Sequence, residues 1–237
     1  MESAFDHIHP SNVMNHYIDV ASKLFGITFD DETMERWLDI IGLTRVIEDK
    51  IDDGKFAITD DAIAALCSTF LDEQFLRDDF PSLAPGEDRS SYERMYEIAR
   101  TIFTLNQTIR QTLSPDEYIK LRKQEGFEYA QLLLSSCSES MQADAAYAEF
   151  ARNFGIIAEV GILFDSLVDS GKDYMNGEIA LRLTWRDKAK LLQDAYQVSR
   201  ELSPKVLHPR AIKVLGSSAL RVVRGRVIGK RPITVHG

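Results

Sequence analysis

Cysteine is nearly missing from this chain: Cys67 and Cys137 are the only two in 237 residues, and they lack CxxC spacing. That excludes a disulfide framework or a thiolate zinc site and leaves both as small core fillers. Glycine (13) and proline (7) are scattered, so nothing reads as a linker, a low-complexity tract or an internal repeat. Hydrophobic content of 44% is enough for one large core, and a single domain over residues 1–237 is expected. No run reaches the roughly 20 apolar residues of a membrane span, because Glu159 and Asp165 interrupt the best candidate. The start, Met-Glu-Ser-Ala-Phe-Asp, lacks a basic and then apolar signal region, so a cytoplasmic protein is expected. A Gly-rich phosphate loop, a GxSxG elbow and an HExxH helix are all missing. His7, His9 and His16, spaced by two and seven, do not suit zinc.

Acids are missing from one end only. After Glu201 there are none, while eight Lys and Arg residues follow, giving a basic C-terminal segment from about 202. With a net charge of −9 overall, the first 201 residues therefore carry −17. An acidic body argues against nucleic acid as its ligand. The basic segment is either a solvated extension or an element that meets an anion.

What is present is helical periodicity, without a clear alternating strand. The first helix follows Pro10-Ser11-Asn12 and stops at Gly26; the second starts at Asp30-Asp31-Glu32 and runs to Gly54. A third covers about 60–75, with Thr59 as its cap, before the loop-like stretch that starts at Pro81. Further helices are predicted over 90–112, 115–136, 142–173, 185–201 and 208–224, with Pro115 in a first turn after Ser114. Gly155 and Gly161 weaken the 142–173 helix locally, and 179–183 is too short to assign. Short loops between such helices make an all-α bundle.

Asp165, Asp169 and Asp173 stand at i, i+4 and i+8 directly after the apolar run 154–164. They share one helical face, roughly 6 Å apart along the axis. Stacked acids repel unless solvated or neutralised, and a hard cation such as Mg²⁺ takes carboxylate oxygens. On the second helix Arg45, Glu48, Asp49, Asp52 and Asp53 flank the apolar stripe of Trp37, Ile40, Ile41, Thr44 and Ile47. Two such helices facing each other make a cleft of five or more acids, which calls for divalent cations at neutral pH.

Arg45-Val-Ile-Glu48-Asp49-Lys-Ile-Asp52-Asp53 resembles the aspartate-rich first motif of class I isoprenoid (terpenoid) synthases, with squalene and phytoene synthases as the nearest match. Asp165, Asp169 and Asp173 match the spacing of the second metal motif of terpene cyclases, and Asp165 with Asp169 equally matches the DxxxD of the squalene/phytoene branch. The interval of 116 residues from Asp49 to Asp165 suits that compact branch. Tyr118-Ile-Lys-Leu-Arg122-Lys-Gln-Glu125-Gly126 resembles the Y-x-x-x-R-x-x-x-G segment of the cyclases. Departures are Glu48 for the leading Asp, and Ala158 and Gly161 where the squalene/phytoene branch has Gln and Asn. An Arg-Tyr pair after the second motif is also absent.

The resemblance implies a Mg²⁺-dependent enzyme of the class I terpenoid synthase fold that ionises an isoprenyl diphosphate of C15 or C20 and releases pyrophosphate. It implies three ions, bound with the diphosphate by Glu48, Asp49, Asp52, Asp53, Asp165, Asp169 and Asp173. Arg122 would sense the diphosphate, with Glu125 as linker and Gly126 as effector. Arg45, Lys172, Arg221 and Arg224 are further candidates for the anion, the last two on charge alone. A mid-helix glycine either lets backbones approach or lets the helix break. Trp37, Phe127, Phe154 and Phe164 are candidate pocket faces for a carbocation. A head-to-head prenyl transferase is the alternative within the enzyme class. Outside it stands a non-catalytic helical binding or scaffold protein, whose acid clusters are solvated faces and whose basic tail docks an anionic surface. The helices over 185–201 and 208–224 are separately candidates to pack on a partner subunit, a homodimer among them.

Overall fold

The structure is a computed structural model that describes residues 18, 21–52, 68, 72–84, 90–204 and 206. Among the described residues every regular element is helical, so the architecture is all-α. In chain order these are α1 (Asp31–Asp52), α2 (Glu73–Asp79), a 3-10 turn (Pro81–Leu83), α3 (Ser90–Gln111), α4 (Pro115–Ser135), α5 (Glu139–Gln142), α6 (Tyr147–Asn176) and α7 (Trp185–Ser199). The predicted helix over 208–224 lies outside the described residues.

Side-chain caps set most boundaries. Gly26, at φ 70°, ends the helical stretch 21–25 in a conformation that favours glycine. Asp30 opens α1: one carboxylate oxygen accepts from the Thr33 N–H at 2.8 Å. Its other oxygen accepts from the hydroxyls of Ser138 and of Ser140, the latter at 2.8 Å, so the start of α1 is tied to the start of α5. Burial pushes the Asp30 carboxyl up, but the hydrogen bonds from Ser138, Thr33 and Ser140 outweigh it and hold it well below the usual carboxylate range. Ser114 caps α4 with Pro115 in the first turn, and Thr184 with Asp187 forms a capping box on α7.

Two boundaries differ from the periodicity. The helix predicted over 60–75 would pass through Asp72, but Asp72 instead accepts from the Phe75 N–H at 3.0 Å and starts a new helix. The helix predicted over 142–173 starts later and ends later. α5 ends at Gln142, Asp144 turns the chain by accepting from the Ala146 N–H at 2.7 Å, and α6 starts at Tyr147. From there α6 runs unbroken through Gly155 and Gly161 and on to Asn176. The unassigned stretch after it is a leash: the Ala180 N–H donates to Arg110 O at 2.9 Å, and Ile179 and Leu181 are buried.

α4 is the central element, packed between α3 and α6, and α7 returns against α6. Trp37 anchors α1: its indole N–H donates to Leu133 O at 2.8 Å and its ring stacks on Phe154 at 5.1 Å between centroids. The α4–α6 crossing is close enough to exclude a side chain at Gly126. A Cβ there would lie 2.8 Å from Ala158 O and 2.9 Å from Glu159 Cα, which are backbone atoms that cannot turn aside. A Cβ at Gly161, by contrast, meets nothing within 4 Å.

Gly126→Ala should therefore lower stability by about 1–3 kcal/mol through overpacking. Gly161→Ala should raise it by about 0.5–1 kcal/mol through helix propensity. Urea unfolding of both variants separates the two effects. The Asp30 cap carries a pH signature. Because its folded pKa is depressed, its contribution is fully present above the unfolded carboxylate value and is lost as pH falls towards the folded one. Asp30→Ala should cost about 1 kcal/mol at pH 7, and the gap from the parent protein should narrow steadily below about pH 4.

Candidate functional site

Arg122 stands one turn before Gly126 on α4, so the close crossing delivers its side chain to α6. The Arg122 Nε–H donates to Ser166 Oγ at 2.7 Å, and Nη1 donates to Glu125 Oε2 at 2.7 Å. Nη2 lies 3.7 Å from Asp165 Oδ2. On the α3 side, Asn106 Nδ2 donates to Glu125 Oε1 at 2.9 Å, and Arg110 Nε donates to Asn106 Oδ1 at 3.1 Å. Glu125 is 1% exposed, and both of its oxygens accept from N–H donors, the arrangement of an ionised carboxylate. Burial pushes its carboxyl up against the pull of Arg122 and Asn106. Burial draws the Arg122 guanidinium down, but Glu125, Tyr118 and Asp165 outweigh it and hold it protonated. Tyr118, buried one turn before Arg122, has its phenol pushed up by the same desolvation.

The three aspartates follow along α6 from this pair. The Asp173 carboxyl is pushed up to about 6, by burial first and then by the negative charges of Glu178 and Asp169. Between Asp169 and Asp173, Ser170 is buried and its hydroxyl has no hydrogen-bond partner. Carboxylate oxygens are the donors a hard divalent cation suits. Among the described residues no group of three or more His, Cys, Asp or Glu converges on one point to hold an ion. Carboxylates four residues apart on one helix are too widely spaced for that, so a site here needs oxygens from a ligand or from a second helix.

The sequence offers α1 as that second helix. Arg45, Glu48, Asp49 and Asp52 ride on its C-terminal turns, and their side chains, with the whole of Asp53, lie outside what the structure describes. The described contacts of α1 lie earlier, among them those over residues 36–43. Arg36 and Trp37 bond to Ser136 O and Leu133 O at the end of α4, and Ile40 and Leu43 then pack in the cluster that holds Leu132. Between Trp37 and Leu43, α1 thus passes from the end of α4 towards Ala99, Ile102 and Phe103 of α3. Trp37 stacks on Phe154 of α6, and beyond it α1 packs on the 3-10 turn, where Asp39 accepts from the Ser82 hydroxyl at 2.6 Å.

The four pocket candidates occupy separate environments. Trp37 is core, and Phe154 packs on it. Phe164 points outward from α6. Phe127 lines a groove of about 450 Å³ with Arg94, Gln131, Arg152 and Glu159, on a different flank of α4 from Arg122. Lys172 is exposed on α6, beside Asp173. Arg221 and Arg224 lie outside the described residues. Gly126 shows the close-approach consequence of a mid-helix glycine, since α4 does not break there. Asn106 and Arg110 went unnoticed in the sequence. Their one signal is a polar i, i+4 pair interleaved with the buried Leu105 and Ile109. Compared with protein-family models, curated proteins and solved structures, the chain finds no match.

Removing one partner of the buried pair strands the other charge. Glu125→Ala or Arg122→Ala alone should cost about 3–5 kcal/mol, whereas Arg122→Leu with Glu125→Met should cost much less than the two singles together. A double-mutant cycle from urea unfolding checks this, and simple additivity would contradict a coupled pair.

Proposed function

We propose that this chain is a Mg²⁺-dependent class I terpene cyclase, which ionises an isoprenyl diphosphate and releases pyrophosphate. The observation that carries the reading is the Arg122 guanidinium, buried on Glu125 and aimed at Asp165. It ties the segment resembling the cyclases' diphosphate sensor to the first carboxylate of the row resembling their second metal motif.

In this reading the chain's own groups have distinct tasks. Glu125, itself fixed by Asn106, holds the Arg122 guanidinium on the α6 side. Arg122 has five N–H donors, and those not spent on Glu125 and Ser166 bond diphosphate oxygens as the C–O bond lengthens. Asp165, Asp169 and Asp173 on α6 hold one side of the Mg²⁺ sites, and Glu48, Asp49, Asp52 and Asp53 hold the other. Bound there, the ions supply Lewis-acid neutralisation of the departing diphosphate. Asp173 is part of the same crowded row, which favours the cyclase over the two-acid head-to-head prenyl transferase. Arg45, Lys172, Arg221 and Arg224 are the further cations from which the anion site is completed.

Purified protein incubated with C10, C15 and C20 diphosphates and Mg²⁺ should release pyrophosphate from at least one. Asp165→Asn and Asp169→Asn should lower that rate by at least about 10² while leaving the helical circular dichroism unchanged. Thermal stability should rise only when Mg²⁺ and pyrophosphate are both present. Folded protein that releases pyrophosphate from none of the three substrates, and that shows no joint stabilisation, overturns the reading in favour of a helical scaffold.

A further inference from the structure

α6 is apolar on the side that faces away from the bundle. Leu163, Ser166 and Ser170 are buried on its inner side, whereas Gly161, Phe164, Val168, Gly171 and Met175 recur at steps of three and four on the opposite side. Phe164 is 49% exposed, Val168 52% and Met175 79%. α7 repeats the pattern: Trp185 (76% exposed), Ala189, Leu192 and Tyr196 (66%) form a stripe offset from the buried Leu191 and Ala195. The two stripes adjoin. On α7, Lys190 and Asp194 face α4 through ion pairs with Asp116 and Lys123, while Lys188 Nζ donates to Leu167 O of α6 at 3.4 Å. Continuing round α7 past Lys188, away from α4, comes the apolar stripe, next to the outward side of α6.

We propose that a second copy of this chain packs on this two-helix face, about a twofold axis at Val168. α6 would lie antiparallel on its own copy, and α7 on the copy's α7. This inference does not rest on the enzymatic reading but shares Asp165 and Lys172 with it: in the dimer both face the second copy, which leaves Asp169 and Asp173 as the α6 carboxylates open to an ion. The area is sufficient: six large side chains, each presenting on the order of 100 Å², approach the roughly 800 Å² per partner of a stable interface. The face is also self-complementary in one register. With the axis at Val168, Phe164 lies over Gly171 of the second copy and Met175 over its Gly161, large over small each time. The same register brings Lys172 beside Asp165 of the second copy, twice by symmetry. A centre moved one turn towards Met175 sets Val168 on Met175, one moved a turn the other way sets Phe164 on its own copy, and both lose the charge pairing. Heptad steps on two neighbouring helices are the spacing of an antiparallel four-helix layer.

Sedimentation of the full chain at high micromolar concentration should give twice the 26.9 kDa chain mass. Val168→Glu, which sets two like charges on the axis, should leave a monomer of unchanged helicity. Lys172→Glu, which faces an acid with an acid, should weaken the dimer at least about tenfold and serves as the second variant should V168E fold poorly. Under mild oxidation Val168→Cys should form a disulfide-linked dimer. Met175→Cys should not, because two copies of that residue lie roughly 20 Å apart along antiparallel helices. A monomeric parent protein, a dimer unaffected by both V168E and K172E, or equal cross-linking at positions 168 and 175 overturns the proposal. Each of those results assigns the face to another segment of the chain or to a different protein.

Discussion

The α4–α6 crossing at Gly126 is the constraint on which the candidate site depends. A glycine there lets the backbone of α4 rest against the Ala158 carbonyl. One turn earlier, Arg122 then reaches across the narrow gap and meets Ser166 at 2.7 Å with its Nε–H. An arginine held in one geometry loses about 2 kcal/mol of rotamer freedom. Here two charge-assisted hydrogen bonds at 2.7 Å, in a largely buried site, offset that cost. Were the helices a side chain further apart, water would enter the gap and the fork would have no fixed partner on α6. The distance between two backbones thus decides whether the guanidinium is ordered.

Net stability does not explain the Arg122–Glu125 pair. Desolvating two charges costs several kcal/mol each, and apolar residues of similar volume serve a core equally well or better. What the pair does supply is a fixed direction for a positive charge. Glu125 is locked by Asn106, Asn106 in turn by Arg110, and the chain of contacts ends with Nη2 turned towards Asp165. An apolar pair would fill the same space and leave the acidic row of α6 without its cation. At the far end of that row burial, and then the charges of Glu178 and Asp169, push the Asp173 carboxyl up to about 6.

The helical class and most of the long helices were legible in the sequence, because amphipathic periodicity and Pro/Ser/Gly punctuation act locally. Ser114 with Pro115, and Gly26 after its helix, marked ends that the structure keeps. The misreadings at Asp72 and at 143–146 share one cause. Asp72 and Asp144 each satisfy backbone N–H groups within a few residues, and a pattern of apolar residues carries no trace of that competition. The Arg122, Glu125 and Asp165 relationship was partly legible, since the residues stand at recognisable spacings. Its anchoring was not. Asn106 reaches Glu125 across two helices, and Ser166 looks like any polar residue in an apolar helix until the crossing puts it under a guanidinium.

α6 reconciles three demands that would conflict on a shorter or less regular helix. Its inner side closes the core through Leu163, and one flank carries Asp165, Asp169 and Asp173. Its outer side is Phe164, Val168 and Met175. The centre of the acid row stands roughly a third of a turn from the outer stripe, so a copy packed on the stripe leaves most of the row open. Long-range electrostatics oppose such packing, because the first 201 residues carry −17. At physiological ionic strength, however, repulsion between exposed charges fades beyond about 8 Å, while burying apolar area contributes about 25 cal/mol per Å² only on contact. Self-association of an acidic body therefore needs a face that is apolar along its centre and carries its few charges in reciprocal pairs at the rim. On α6 that combination occurs about Val168, with Asp165 and Lys172 on either side of it.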